Sequence, residues 1–106
     1  MCTRFHAAVE LVGARWSGAI LRALFTGQYR FAVIKAAIPG ISDTMLAQRL
    51  RGLEAASIIE RRVLTGAPVV VEYHLTDRGR ELAPVMDALL AWSHKWIPLP
   101  AGSRAS

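Results

Sequence analysis

The chain has 106 residues, 53% of them hydrophobic and 20% charged, and a net charge of +5. That length gives one domain with a modest core, and the apolar excess leaves surface for a second copy of the chain, so a homodimer is expected. The sequence holds a single cysteine, no signal-peptide pattern and no apolar run near the roughly 20 residues of a membrane span, so membrane, secreted and disulfide-framework classes are set aside and a cytoplasmic protein is expected.

Thr3 is placed to cap a short helix from Arg4 to about Val12, with Phe5, Ala8, Val9 and Val12 on one stripe and Gly13 as terminator. A second helix from near Trp16 to Phe25 turns Ile20, Leu21 and Leu24 inward and stops before Gly27. Gln28 to Phe31 suits a small strand. Phe31 to Ala37 suits a short helix, because Phe31, Ile34 and Ile38 recur at helical spacing before the Pro39-Gly40 stop. Ser42 then accepts the orphan amides of a new helix, and Asp43 is favourable at its positive dipole end. At about 100° per residue, Leu46, Leu50 and Leu53 fall together, with Thr44, Gln48 and Arg51 on the opposite side. A compact helix, a tight turn and a capped helix in series are the order of a helix-turn-helix.

After Ser57, β-branched residues replace helix formers. Ile58 to Leu64 and Val69 to Leu75 read as a hairpin around Thr65-Gly66-Ala67-Pro68. In the second strand Val69, Val71, Tyr73 and Leu75 alternate with Val70, Glu72 and His74, which gives an inner face; Arg61 is as suited to pair across the strands with Glu72 as to meet a phosphate. Thr76 caps a long final helix carrying Leu82, Val85, Met86, Leu89, Leu90, Trp92 and Trp96, and Pro84 is expected to bend it. Residues 1–97 therefore form one domain and 98–106 a flexible tail.

Composition argues against an enzyme: there is no glycine-rich phosphate loop, no nucleophile with an evident base, and no His/Cys spacing for a metal. No cofactor is expected. His74 lies among apolar strand residues and His6 and His94 lack evident carboxylate partners, so all three read as surface or interface. The positive charge is carried by arginine, whose planar fork suits phosphate and guanine edges, yet it is spread along the chain and marks no site by itself. Cys2 stands just before the first helix with Arg4 nearby, a setting that suits a redox-active thiol, against the alternative of an inert terminal one. Phe5, Val9, Leu89, Trp92 and Trp96 are read as a dimer seam, since aromatics at helical spacing are usually packing, and Trp16 as core.

Eight short stretches carry a family resemblance: Leu11-Val12-Gly13-Ala14-Arg15-Trp16, Ile20 to Leu24, Arg30-Phe31, Pro39-Gly40-Ile41-Ser42, Met45-Leu46, Leu50-Arg51-Gly52-Leu53-Glu54, Val71-Glu72-Tyr73 and Leu75-Thr76-Asp77-Arg78-Gly79. Across roughly Cys2 to Trp96 the chain resembles the HxlR-type regulators, relatives of the MarR-type bacterial transcription factors. The resemblance implies a mainly α fold with a small antiparallel β-hairpin, a winged helix-turn-helix with N- and C-terminal dimerisation helices. It implies a dimeric regulator of double-stranded, pseudo-palindromic operator DNA under redox or small-molecule control, with Ser42 to Ala55 as the reading helix. Thr44, Gln48 and Arg51 are then the base or phosphate contacts, and Ser42 is a phosphate contact or a cap alone. Arg49 is a phosphate contact or a packing residue, and Arg30 and Arg62 are further phosphate contacts. Many relatives carry a cation just before Val-Glu-Tyr where this chain has Val70, so the wing is expected to contribute less. In some relatives a cysteine near this end senses oxidants through an intersubunit disulfide; Cys2 matches the position, with Thr3 where proline is common. The competing expectation is a winged-helix module for protein interaction or small-molecule sensing without sequence-specific DNA binding.

Overall fold

A computed structural model describes residues 2–99; most of the expected tail, 100–106, lies outside the described residues. Six helices and one hairpin follow in the order α1 (Thr3–Gly13), α2 (Ser17–Phe25), α3 (Phe31–Ala37), α4 (Asp43–Ala55), β1 (Ile59–Leu64), β2 (Val70–Leu75), α5 (Asp77–Arg80) and α6 (Ala83–Trp96). The expected winged helix-turn-helix is the architecture observed. Its core gathers Ile20, Leu21 and Leu24 of α2, Ile34 of α3, Leu46, Leu50 and Leu53 of α4, and Ile58, Ile59 and Leu75 around the hairpin base. Burying side chains of this size stabilises by about 1.5–3 kcal/mol each, which is what holds α4 in place.

The two helices of the helix-turn-helix are joined by a turn that requires glycine. Gly40 has φ 90°, a left-handed conformation that costs an L side chain energy but costs glycine nothing. Ser42 then caps α4 as expected, its Oγ accepting from Met45 N at 3.1 Å. Lys35 Nζ lies 2.6 Å from the Asp43 carboxylate, which ties α3 to the first turn of α4.

Several expectations are corrected. Thr3 is not a cap: it lies inside α1, and Cys2 holds the N-cap position without a side-chain cap bond. The strand expected at Gln28 to Phe31 does not form; it is reduced to one backbone bond, in which Tyr73 N donates to Tyr29 O at 2.8 Å. The hairpin register sets Arg61 opposite Tyr73 and Arg62 opposite Glu72, one residue away from an Arg61–Glu72 pair. A shift of one residue moves a side chain to the other face of a strand. The outer face of β2 is also covered: His74 is half-buried and stacks on Tyr29 with ring centroids 4.2 Å apart, so it is not a surface histidine. His6 does have a carboxylate partner, Glu10, 3.5 Å away and one helical turn on.

The long C-terminal helix is in fact two. Thr76 Oγ1 accepts from Gly79 N at 3.1 Å and donates to Ser57 O at 2.6 Å, which closes the short α5 against the end of α4. α6 starts afresh at Ala83. Pro84 falls in its first turn, where its missing N–H has no helical partner to lose, so Pro84 begins a helix and does not bend one.

Candidate nucleic-acid interface

The local rules that make α4 a helix also decide what it shows to solvent. Leu46, Leu50 and Leu53 are at most 2% exposed, and their helical spacing pins one face of α4 to the core. Thr44, Gln48 and Arg51 therefore point outward together, and all three are exposed. Among the described residues none of them makes a side-chain hydrogen bond or ion pair, so their donors and acceptors face solvent. That face can present an amide, a hydroxyl and a guanidinium to a groove, the groups that contact base edges and phosphates.

The remaining cationic candidates are each engaged within the chain. Arg49 points away from the Thr44–Gln48–Arg51 face: its Nε donates to Arg15 O at 2.8 Å and locks α4 to the α1–α2 turn. Of its two expected roles, the packing one is the one with a visible partner. Ser42 spends its Oγ on the cap described above. Arg30 Nε lies 4.0 Å from Glu72 at the hairpin, and Arg62 pairs with Glu60 at 2.5 to 2.7 Å on its own strand. Arg30 and Arg62 remain substantially exposed despite these pairs, and exposed ion pairs are weak enough to open for a phosphate.

Lys35 was missed as a candidate. It is the cation of α3, it sits beside the N-terminus of α4, and its side chain is 45% exposed. Its signal was legible as a lone charge on an otherwise apolar short helix. The hairpin tip carries no cation, and instead Val63, Leu64 and Val69 are exposed apolar residues on the wing.

A second surface lies at the chain's two ends. Neither α1 nor α6 buries a residue. Phe5 is 67% exposed and Val9 51%, while Leu89, Trp92 and Trp96 on α6 are all more than half exposed. A groove of about 630 Å³ runs between α2 and α6, floored by Ala19, Phe25, Met86 and Leu90. Trp16 packs against the core as expected, with the Arg15 guanidinium 4.9 Å over its ring. Cys2 is a free, exposed thiol at the start of α1. Among the described residues no helix is long and apolar enough to cross a membrane, and no cluster of His, Cys, Asp or Glu is arranged to hold a metal ion.

This arrangement has close counterparts. A family model described as HxlR-like helix-turn-helix matches residues 11–100. The chain is 40% identical over 97 residues to YvaP, an HTH-type transcriptional regulator of Bacillus subtilis (strain 168), covering 92% of this chain and 90% of YvaP. The reduced form of the transcriptional regulator YodB from B. subtilis superposes with a TM-score of 0.81 at 42% identity, over 92% of this chain and 95% of that one. YodB has also been solved diamide-treated and quinone-bound. The redox regulator HypR in its reduced form gives a TM-score of 0.82 at 31% identity, over 88% and 92% of the two chains. The matched region takes in both helices of the helix-turn-helix, the hairpin and α6, and the chain belongs to the HxlR-like helix-turn-helix family of transcriptional regulators.

Proposed function

We propose that residues 1–97 form one winged helix-turn-helix unit that dimerises and reads double-stranded operator DNA, with α4 in the major groove. The observation that carries this reading is the exposed Thr44–Gln48–Arg51 face on a helix anchored by three buried leucines. Gln48 has the amide geometry to read adenine bidentately, and Arg51 suits guanine or a phosphate. The amides at the start of α4 beside Ser42 favour a phosphate, and Arg30 and Arg62 flank the helix as phosphate contacts. Arg49 acts mainly through packing. A twofold dimer presents two such helices, so the operator is pseudo-palindromic. The site of action is the cytoplasm, and the reading includes no catalytic step and no cofactor.

Fluorescence anisotropy with DNA from the chain's own upstream intergenic region, at several salt concentrations, tests it. The expected result is a sequence preference with affinity falling steeply as salt rises, because each neutralised phosphate releases counterions. Binding that shows neither property overturns the reading. The exposed apolar wing residues Val63, Leu64 and Val69 favour the second reading, a protein-interaction or sensing module, and that result would leave it standing.

Cys2 supplies a redox input in this proposal. There is one cysteine per chain, so a disulfide between two copies of this chain joins their Cys2 residues. The relatives named above that were solved in reduced, diamide-treated and quinone-bound states support such an input. Mild peroxide is expected to give a covalent dimer on nonreducing electrophoresis that Cys2→Ser abolishes; an unchanged monomer band removes the sensor role.

A further inference from the structure

α1 carries Phe5 and Val9 of the seam, yet it has no fully buried residue, and only Leu11 packs partly against the core. Its direction relative to α4 is therefore set less by packing than by the turn that joins it to α2. That turn closes with Ser17 N donating to Ala14 O at 3.0 Å, and Trp16 stands in it at φ 77°, ψ −18°. Glycine ordinarily takes such a left-handed position, and a bulky residue persists there only where its surroundings over-determine it.

The helix-turn-helix supplies that hold through two contacts. A Cβ on Gly40 would meet Trp16 Cη2 at 3.8 Å, so the indole lies against the turn that launches α4. From the middle of α4, Arg49 Nε donates to Arg15 O at 2.8 Å. The Arg15 guanidinium covers the Trp16 ring at 4.9 Å, which joins the two contacts into one unit. The Arg15–Trp16 turn is thus seated on α4 at two places, and α1 departs from a point fixed to the reading helix. The other seam helix is held differently: Leu82 and Met86 pack it on the core, and among the described residues no side-chain hydrogen bond joins α6 to α4.

We propose that Arg49 is a positioning residue. By tying the Arg15–Trp16 turn to α4 it sets the angle between α1 and α4, hence the separation of the two α4 helices across the dimer and the half-site spacing that the dimer accepts. Arg49 acts through the turn and touches no DNA. The inference rests on the dimeric DNA-reading function above. One base pair inserted between half-sites moves one of them by about 3.4 Å and turns it by about 35°. A stiff link between seam and reading helix rejects that displacement, and a loose one accommodates it.

Two variants of similar length separate the bond from the charge. Arg49→Met keeps the reach of the side chain and loses the donor. Arg49→Gln places an amide nitrogen where Nε stands, so it keeps the bond to Arg15 O and loses the charge. Fluorescence anisotropy of the full chain is read on three DNAs: the operator footprinted in its own upstream intergenic region, that operator with two base pairs inserted between half-sites, and one isolated half-site. For the parent the insertion is expected to weaken binding about 100-fold, the avidity of the second half-site. In Arg49→Met the natural operator is expected to bind about tenfold more weakly, the insertion penalty to fall below about tenfold, and half-site affinity to stay within about twofold of the parent. Arg49→Gln is expected to keep the parental penalty. A merely structural Arg49 would lower the denaturation midpoint and leave the spacing penalty unchanged, which overturns the proposal. So does a weakened half-site with a salt slope smaller by about one, the mark of a phosphate contact. A monomeric Arg49→Met on sedimentation, or Arg49→Gln behaving like Arg49→Met, overturns it as well. A parent indifferent to the insertion removes the spacing role and leaves base reading by α4 standing, whereas a parent with no sequence preference overturns the DNA-reading function and the spacing role with it.

Discussion

Arg49 and Arg51 stand two positions apart on one helix and face different environments. The rotation between them turns Arg49 onto the Arg15 carbonyl and leaves Arg51 in solvent. Their truncations should separate accordingly. Arg49→Ala removes a side-chain bond between α4 and the α1–α2 turn and is expected to lower the unfolding free energy by about 1 kcal/mol, read from the denaturation midpoint. Arg51→Ala is expected to leave stability within about 0.5 kcal/mol of the parent and to weaken DNA binding. If Arg51 meets a phosphate, the loss is uniform across sequences and the salt slope falls by about one; if it meets a base, the loss is confined to the cognate site. Gln48→Ala should cost about 1–3 kcal/mol on cognate DNA and much less on unrelated DNA. Equal losses on both would remove Gln48 from base reading.

At the scale of elements, α4 was legible because its own sequence contains what defines it: a cap, a dipole-compensating Asp43 and leucines at helical spacing. The α5–α6 break was not, because its cause lies elsewhere in the chain. A Cβ built on Gly79 would overlap the carbonyl oxygen of Ile58, and the same Ile58 carbonyl accepts from Thr76 N at 3.0 Å. The hairpin's end and the α4–β1 junction thus press on α5 and fix where it stops, so whether Pro84 lies inside a helix or at its start depends on a contact between residues some twenty apart. The hairpin register was lost for a similar reason, since it is set by where the tip closes, and one residue of error exchanged Arg61 for Arg62 opposite Glu72. The His6–Glu10 pair, by contrast, was readable from its spacing alone. Gly79→Ala tests the close approach. It forces the α5 turn away from Ile58 and is expected to destabilise by more than about 2 kcal/mol, whereas alanine at an exposed mid-helix glycine with open space around it is expected to stabilise by up to about 1 kcal/mol. A Gly79→Ala variant as stable as the parent, or stabilised like Gly52→Ala, where a Cβ meets nothing within 4 Å, would show that α5 moves freely.

For the whole molecule the unexplained quantity is apolar surface. α1 and α6 are amphipathic helices with no fully buried residue in one chain, only Leu11 and Met86 packing partly against the core, and an α2–α6 groove lies open beside them. Exposed Phe5, Val9, Leu89, Trp92 and Trp96 concentrate aromatic and aliphatic area at the two ends of the sequence, the composition of an interface core. In the proposed dimer a second copy would cover both ends at once and double the +5 charge on a body with two α4 helices. On the proposed function, the lack of a cation at the wing tip makes each subunit alone an expected weak DNA binder, with affinity expected to depend on two half-sites acting together. Sedimentation of the parent should give twice the 11.6 kDa chain mass. Introducing a charge into the seam with Val9→Asp or Trp92→Asp should shift it to the monomer while leaving the helical circular dichroism signal in place, because neither residue belongs to the buried core. Loss of the dimer should weaken operator binding by about 100-fold without altering the base preference of α4, because avidity and base reading reside in different surfaces. A variant that stays dimeric would place the interface elsewhere, and a monomer that binds the operator as tightly as the parent would show that one α4 helix is sufficient.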